Sequence, residues 1–302
     1  MNPARGIALK LISVVVFMAM TSLIKATADD VPPGEAIFFR SLFALPIVIA
    51  MLIWTGHLHD GLKIVNRTAH IIRGLVGATA MALMFFGLGH IPLPEAVAIF
   101  FAVPIFVTLL AALLLGERIR LYRMAAIALG FVGVLIIISP RLLAADETGS
   151  DLKTIASVAV FGAAFFAAMA TVFVRKLMAT DSAASVSFWF AVFTTLVSLL
   201  SAPFGWVIPS WEVAGQLILA GLLGGIAQIF MTTAYRHAEA AVIAPFDYAQ
   251  IVLALLVGYF VFGELPTWIT LIGATLTIAA GLMIIWRERQ LGLARRNDTL
   301  KS

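Results

Sequence analysis

The sequence predicts an all-α integral membrane protein, with ten transmembrane helices as two inverted five-helix repeats around a central cavity. Three observations carry that reading: an apolar composition, a series of apolar stretches of bilayer-spanning length, and a match between the two halves of the chain. Apolar residues fill 62% of the 302 positions, where a soluble domain has roughly 45–50%. Charged residues are 12%, about half of the usual ~25%. A soluble core of this size cannot hide so much apolar surface, so lipid is the expected partner. The chain has no cysteine, which removes disulfides, thiolate metal sites and cysteine nucleophiles. A net charge of +4 would weakly suggest nucleic acid in a soluble protein. Here its placement along the chain matters more, and no nucleic acid is expected.

A helix needs about 20 mostly apolar residues to cross a bilayer. By that ruler the spans fall near 6–27, 34–55, 69–89, 93–115, 121–139, 154–175, 184–203, 213–235, 241–262 and 267–286. Arg5 and Lys10, the apolar run from Leu11 to Ile24 and "ATA" at 26–28 resemble a secretory signal with its cleavage site. A retained first helix is preferred, because the second half has a matching segment, "AAFFAAMATVFVRK" at 163–176. Turn signals separate later spans: "DDVPPGE" (29–35), "HIPLPE" (90–95) and "PFGWVIPSWE" (203–212). The longest polar insert, "SPRLLAADETGSDLK" (139–153), falls at the midpoint. The expected organisation is a first repeat at 1–139, a linker at 140–153, a second repeat at 154–286 and a basic tail at 287–302. With the amino terminus inside, only Lys25, Arg40, Arg141 and Lys153 of the 20 Lys and Arg lie outside. The positive-inside rule then puts both termini in the cytoplasm. The tail, "RERQLGLARRNDTLKS", reads as a solvated extension within reach of anionic lipid heads.

Sliding the chain by 147 positions aligns "GHIPLPEAVAIFFAVPIFVTLLAALLLGERI" from Gly89 with "RHAEAAVIAPFDYAQIVLALLVGYFVFGELP" from Arg236. His90 meets His237, and Gly116-Glu117 meets Gly263-Glu264. Five spans is an odd number, so the second copy enters the membrane from the opposite side. The consequence is an inverted repeat with a pseudo-two-fold axis in the membrane plane. Two similar halves of opposite orientation can exchange conformations, so that one central site opens first to one side and then to the other. The expected mechanics are two antiparallel five-helix bundles rocking about a shared wet pocket at mid-depth.

The run "HAEAAVIAPFDYAQ" (237–250) places Pro245 and Asp247 inside span nine. An ionised carboxylate at the centre of a span costs about 2.5–3.5 kcal/mol on insertion scales. Pro245 removes a backbone donor and favours a break, and irregular backbone is tolerated in a membrane only against protein or a water-filled cavity. Together they place this part of span nine at the cavity or at a packed polar seam. The plainer alternative is a static pair between Asp247 and Arg236 or Arg73. Pro104 breaks span four in the same way, with Phe100 and Phe101 one turn before it. Phe246 and Tyr248 are their counterparts in role. Candidate substrate contacts are Met20, Thr21, Met84, Phe100, Phe101, Met169, Gln228, Phe246 and Tyr248, with Gln250 as a further polar group. Each of these has an ordinary packing role as its alternative, since methionine fills irregular gaps and glutamine bonds neighbouring helices. Lys25 and Arg40 flank the outer ends of spans one and two. With Asp29, Asp30 and Glu35 they form either a salt-bridged rim or an outer gate. Glu117 and Glu264 are expected to tie down the hairpin turns and cap the following helices. His90 and His237 lack partners at ligand spacing, so no metal is expected.

The five-plus-five layout, the Gly-Glu closing spans four and nine, and "APFDYAQIVLALLVGYFVFGELPTWITLIGATLTIAAGLMIIWRER" (244–289) resemble the EamA branch of the drug/metabolite transporter superfamily. The resemblance implies a ten-helix carrier of the bacterial inner membrane with a central cavity, often an exporter of amino acids or related metabolites. The chain has no H-E-x-x-H, G-x-S-x-G or P-loop. No catalytic residue and no cofactor are therefore expected, and a passive channel is the rival from another class. Span one carries no central acid and Asp247 is off-centre, which disfavours cationic-drug efflux. The expected cargo is a small amphipathic metabolite, amino acids first and a nucleoside-bearing metabolite such as S-adenosylmethionine second. The expected partners are that substrate and membrane lipid, with a monomer left as one option.

Overall fold

The computed structural model describes residues 2–115, 121–143, 150–238 and 240–299. Every regular element among them is helical. In order these are α1 (Pro3–Ala26), α2 (Pro33–Trp54), α3 (Leu58–Leu62), α4 (Arg67–His90), α5 (Leu93–Phe100), α6 (Val103–Leu115), α7 (Leu121–Leu143), α8 (Ser150–Leu177), α9 (Ala183–Leu199), α10 (Trp211–His237), α11 (Ala240–Ile243), a 3-10 turn (Ala244–Tyr248), α12 (Ala249–Phe262) and α13 (Trp268–Thr299). Spans four and nine are each made of pieces: α5 with α6, and α11 with the 3-10 turn and α12. Eight spans are long and apolar enough to cross a bilayer, and two shorter apolar helices, Met124–Pro140 and Ala183–Leu199, complete the ten. The protein is thus a multi-pass membrane protein.

Local sequence sets the helix ends. Asn2, Asn66, Ser182 and Ser210 each accept the backbone N–H three residues on, from Arg5, Ala69, Ser185 and Val213, which satisfies a donor that the first turn would leave open. α12 ends at Gly263 in the left-handed region, φ 65°, where an added Cβ would be strained. Inside the spans, hydroxyls donate to the carbonyl four residues back, as Thr21 does to Phe17, Thr108 to Pro104 and Thr171 to Ala167. No water is then needed to satisfy them in lipid.

The expected spans are present, with differences at their ends. α13 does not stop near 286 but runs helical to Thr299, since Arg, Glu, Gln, Leu and Ala dominate this stretch and favour helix. Helix extends into the midpoint insert from both sides: α7 continues through Pro140 to Leu143 and α8 starts at Ser150. Residues 144–149 lie outside the described residues, as do Gly116 and Glu117.

The two repeats interleave rather than packing as two separate bundles. α1 lies along α10, and its repeat mate α8 lies along α4, the mate of α10. α2 packs on α10 as α9 packs on α4, while α2 meets α9, α5 meets α12 and α7 meets α13 across the pseudo-two-fold. Shared small residues explain the close fit. A Cβ at Gly74 or Gly77 would overlap Phe193 or Phe190 of α9, and on α10 a Cβ at Gly221, the mate of Gly74, or at Gly225 would overlap Phe43 or Ile47 of α2. Van der Waals contact is the main helix-joining force in lipid, and small residues let helices approach closely. Each half therefore completes its packing with the other half.

Candidate functional site

The site begins with two interrupted helices. α5 ends at Phe100, a turn passes through Phe101 and Ala102, and α6 restarts at Val103 with Pro104 next. Pro104 has no N–H for the Phe100 carbonyl, and its ring disfavours a continuous helix. In span nine Pro245 opens the 3-10 turn between α11 and α12. The two breaks bring Phe101 and Tyr248 together, with ring centroids 4.9 Å apart and planes 27° apart. The 147-residue offset that aligns the repeats carries Phe101 onto Tyr248, so this stack joins symmetry mates. The buried Tyr248 hydroxyl has no hydrogen-bond partner among the described residues and rests where a Cβ on Gly281 would be.

A cavity of about 230 Å³ opens beside this stack. Pro104, Val107, Thr108 and Ala111 of α6 form one wall, and Thr171 and Arg175 of α8 a second. Ala244 and Asp247 of the 3-10 turn and Ile284 and Ile285 of α13 complete it. These residues lie toward the helix ends on the face that bears both termini. The same offset converts the cavity walls into their mates on the opposite side. Ile24, Ile137, Ile138, Ile251 and Ala254 correspond to Thr171, Ile284, Ile285, Pro104 and Val107. All five are at most 5% exposed and belong to the main hydrophobic core. The protein is open on one side of the stack and packed on the other.

Asp247 is held by Lys10 of α1, at 2.6 Å from Nζ to Oδ1. The Lys10 side chain is 3% exposed and that of Asp247 39%, because the carboxylate faces the cavity and the ammonium does not. The Lys10 ammonium also sits 5.5 Å from the ring centre of Tyr235. The expected static partners are replaced: Arg73 stacks over Phe190 at 3.9 Å, and Arg236 is exposed on the last turn of α10. Arg73 is engaged on α9, whereas α1 runs directly against the 3-10 turn.

On the opposite face, Lys25 pairs with Glu264 at 2.9 Å and donates to the carbonyls of Leu88 and Ile91 at 2.9 and 3.0 Å. Glu264 accepts the Leu93 N–H at 2.7 Å. The expected rim of Lys25 with Asp29, Asp30 and Glu35 is therefore not formed. The two aspartates are exposed, and Glu35 instead accepts the Val207 N–H at 3.1 Å. Glu264 caps the start of α5 in the other repeat rather than the helix that follows it. Arg40 stands not at the rim but within α2, where its Nη1 reaches the Met81 sulfur at 3.0 Å and its Nε has no partner among the described residues.

Of the candidate substrate contacts, Phe101 and Tyr248 line the cavity, as do Pro104 and Asp247. Pro245 makes the break beside them. Phe100, Met84 and Met169 pack on the main core. Met20 lies by Gly224 of α10, and Thr21, Gln228, Gln250 and Phe246 stand elsewhere on spans one, eight and nine. His90 Nδ1 lies 2.7 Å from the Phe86 carbonyl. Sequence reasoning missed Lys10 behind the cavity wall and Thr108, Thr171, Arg175, Ile284 and Ile285 at the cavity. Lys10 carries a signal, a lysine eight residues into an apolar helix, which the basic inner face and the secretory-signal pattern both leave without a partner. The others carry no local signal, since only the pairing of α6 with α8 and α13 makes them neighbours.

Comparison with known proteins gives the family. The model of the EamA-like transporter family matches residues 4–139 and again 154–286. A Rickettsia bellii (strain RML369-C) protein named S-adenosylmethionine uptake transporter is 29% identical over 94% of this chain and 97% of its own. A riboflavin transporter of Rhizobium johnstonii is 30% identical over 85% and 82%. A pseudopaline exporter of Pseudomonas aeruginosa (strain UCBPP-PA14) is 29% identical over 91% and 94%. A solved crystal structure superposes with a TM-score of 0.65 at 19% identity, over 95% of this chain and 99% of that one, a likeness of fold. With one family model matching each half of the chain in turn, the chain belongs to the EamA-like transporter family.

Proposed function

We propose that the protein carries a small, ring-bearing, charged metabolite through the Phe101–Tyr248 constriction by alternating access, with S-adenosylmethionine as the leading cargo. As a family member it is a membrane transporter and not an enzyme. The observation that carries the mechanism is the one-sided opening: the cavity is lined on one face while the symmetry mates of its walls are packed in the core. Exchange of conformations between inverted repeats would close the first side and open the second. The interleaved packing makes the moving units helix pairs drawn from both repeats. Met20, Thr21, Met84, Phe100, Met169, Gln228 and Phe246 meet the cargo when the packed side opens. The excess of basic residues on one side supports cytoplasmic termini, and with them a cytoplasmic cavity mouth.

Several features support the cargo. The cavity offers flat aromatic faces, a carboxylate at Asp247 and a guanidinium at Arg175, which suits an amphipathic zwitterion with a planar ring. The relatives named above are called transporters of S-adenosylmethionine, riboflavin and pseudopaline, and none of those names is a simple amino acid. Amino acids, the first expectation, become the second arm of the test. Purified protein in liposomes, preloaded with unlabelled compound, is assayed for counterflow of labelled S-adenosylmethionine, riboflavin and amino acids, with and without a proton gradient. Saturable counterflow of S-adenosylmethionine is expected. Flux that neither saturates nor shows counterflow would identify a channel and overturn the reading.

A further inference from the structure

Asp247 and Lys10 form a pair that the repeat does not require. Their mates under the 147-residue offset are Phe100 and Ser157, an aromatic and a hydroxyl, so the ion pair exists in one half only. A charge inside a span is costly unless paired or in contact with water, and a symmetric fold that packs without it in one repeat does not need it in the other. The pair is also incomplete. Lys10 takes Oδ1, and Oδ2 has no hydrogen-bond partner among the described residues. Asp247 is well exposed to the cavity while Lys10 is sealed behind it.

Beside this carboxylate stand the stacked rings of Phe101 and Tyr248 and the apolar side chains of Ala244, Ile284 and Ile285. A carboxylate oxygen next to aromatic faces attracts a cation, and methylated onium groups are held in this way because they need no hydrogen-bond acceptors. A primary ammonium carries three N–H donors and gains less from a largely apolar wall.

We infer that Asp247, with Phe101 and Tyr248, is the subsite for a methylated onium group of the cargo, and that Lys10 is a tethered cation competing for the same carboxylate. In the empty protein Lys10 neutralises Asp247. An incoming onium takes Oδ2 and shifts the carboxylate toward the cavity, and the Lys10 ammonium stays at the face of Tyr235. Loosening Lys10 from Asp247 frees α1 from the 3-10 turn on the cavity side, while Lys25 and Glu264 still hold the far end.

The inference rests on the proposed cavity but is tested apart from cargo transport. Equilibrium binding of S-adenosylmethionine is compared with that of S-adenosylhomocysteine, which lacks only the methyl and the positive charge on sulfur. Wild-type protein in detergent should favour the sulfonium by at least tenfold. Asp247→Asn should reduce that ratio to below threefold, and Asp247→Glu should restore most of it. Lys10→Gln should tighten sulfonium binding by threefold or more and leave the thioether unchanged. A merely structural ion pair would give loss of both ligands in both variants. Binding of neither compound, equal binding of the two by wild type, or weaker sulfonium binding in Lys10→Gln overturns the inference. Counterflow of another compound would still leave the carrier reading intact.

Discussion

Gly281 owes its identity to a neighbour. The Tyr248 hydroxyl fills the space that a methyl group there would need, so the ring is seated against the α13 backbone and faces Phe101. The backbone of Gly281 is ordinary helix, and only the absence of a side chain matters. Gly281→Ala should push the Tyr248 ring off its stack at a cost of about 1–3 kcal/mol, the usual range for an extra methyl in a packed core. The expected outcome is counterflow reduced at least tenfold, in a protein that still elutes as a single species in detergent. Unchanged counterflow would show that the stack has no part in the path. Asp247 follows the same logic. Its position in an apolar run was legible in the sequence and marked it as unusual. Its partner was not, because Lys10 lies in another repeat and only the packing of α1 on the 3-10 turn joins them.

Elements are tied together outside the membrane as well. Asp181, between α8 and α9, is buried and accepts the Val65 N–H at 2.8 Å, the Thr180 hydroxyl at 2.7 Å and His70 Nε2 at 3.2 Å. This clasp joins the loop before α4 to the loop before α9. Burial raises the Asp181 pKa, but the hydrogen bonds from Val65, Thr180 and His70 and the charge of His70 outweigh it and hold the group below its ordinary value. A depressed carboxylate contributes stability that is present above the unfolded value, near 3.9, and is lost as pH falls through the folded value. The Asp181 contribution should therefore be lost as pH falls below about 5. Asp181→Asn is expected to cost about 1.5–3 kcal/mol, the range for hydrogen bonds to a charged group. Thermal unfolding in detergent at pH 7 reads this as a lower melting temperature. An unchanged melting temperature would mean that the clasp holds nothing. Pro104 and Pro245 were visible as breaks from sequence, but the meeting of the breaks was not. That follows from α5 packing on α12 across the pseudo-axis.

At the scale of the whole molecule, α1 is pinned to span nine at both ends. Lys10 meets Asp247 on the cavity side, and Lys25 meets Glu264 on the other. The second pair also gathers the Leu88 and Ile91 carbonyls and the Leu93 N–H, so four helix ends converge on one clasp over the packed side. Lys25→Met should loosen that clasp and favour opening there. The chain has no cysteine of its own, so a single Leu93→Cys, at a fully buried position under the clasp, reports access. Labelling by an impermeant maleimide should be at least tenfold faster with Lys25→Met added, equivalent to about 1.4 kcal/mol. Equal rates would show that the clasp does not gate the far side.

The sequence by itself determined the solvent, the number of spans, the inverted repeat and the two interrupted helices. Each depends on composition or periodicity along the chain: lipid demands long apolar helices, an odd span count forces inversion, and Pro104 and Pro245 each withdraw a backbone N–H from a span, although Pro46 and Pro140 are carried inside α2 and α7. Only the tertiary structure decided which spans pair, that the repeats interleave, that Phe101 stacks on Tyr248, and that the acid and base meet across α1 and span nine. Those choices depend on side-chain shape at helix faces, where Gly74 admits Phe193 and Gly281 admits Tyr248. Such complementarity between residues far apart in the chain leaves no periodic trace, because packing in lipid is set by fit between surfaces that are all equally apolar.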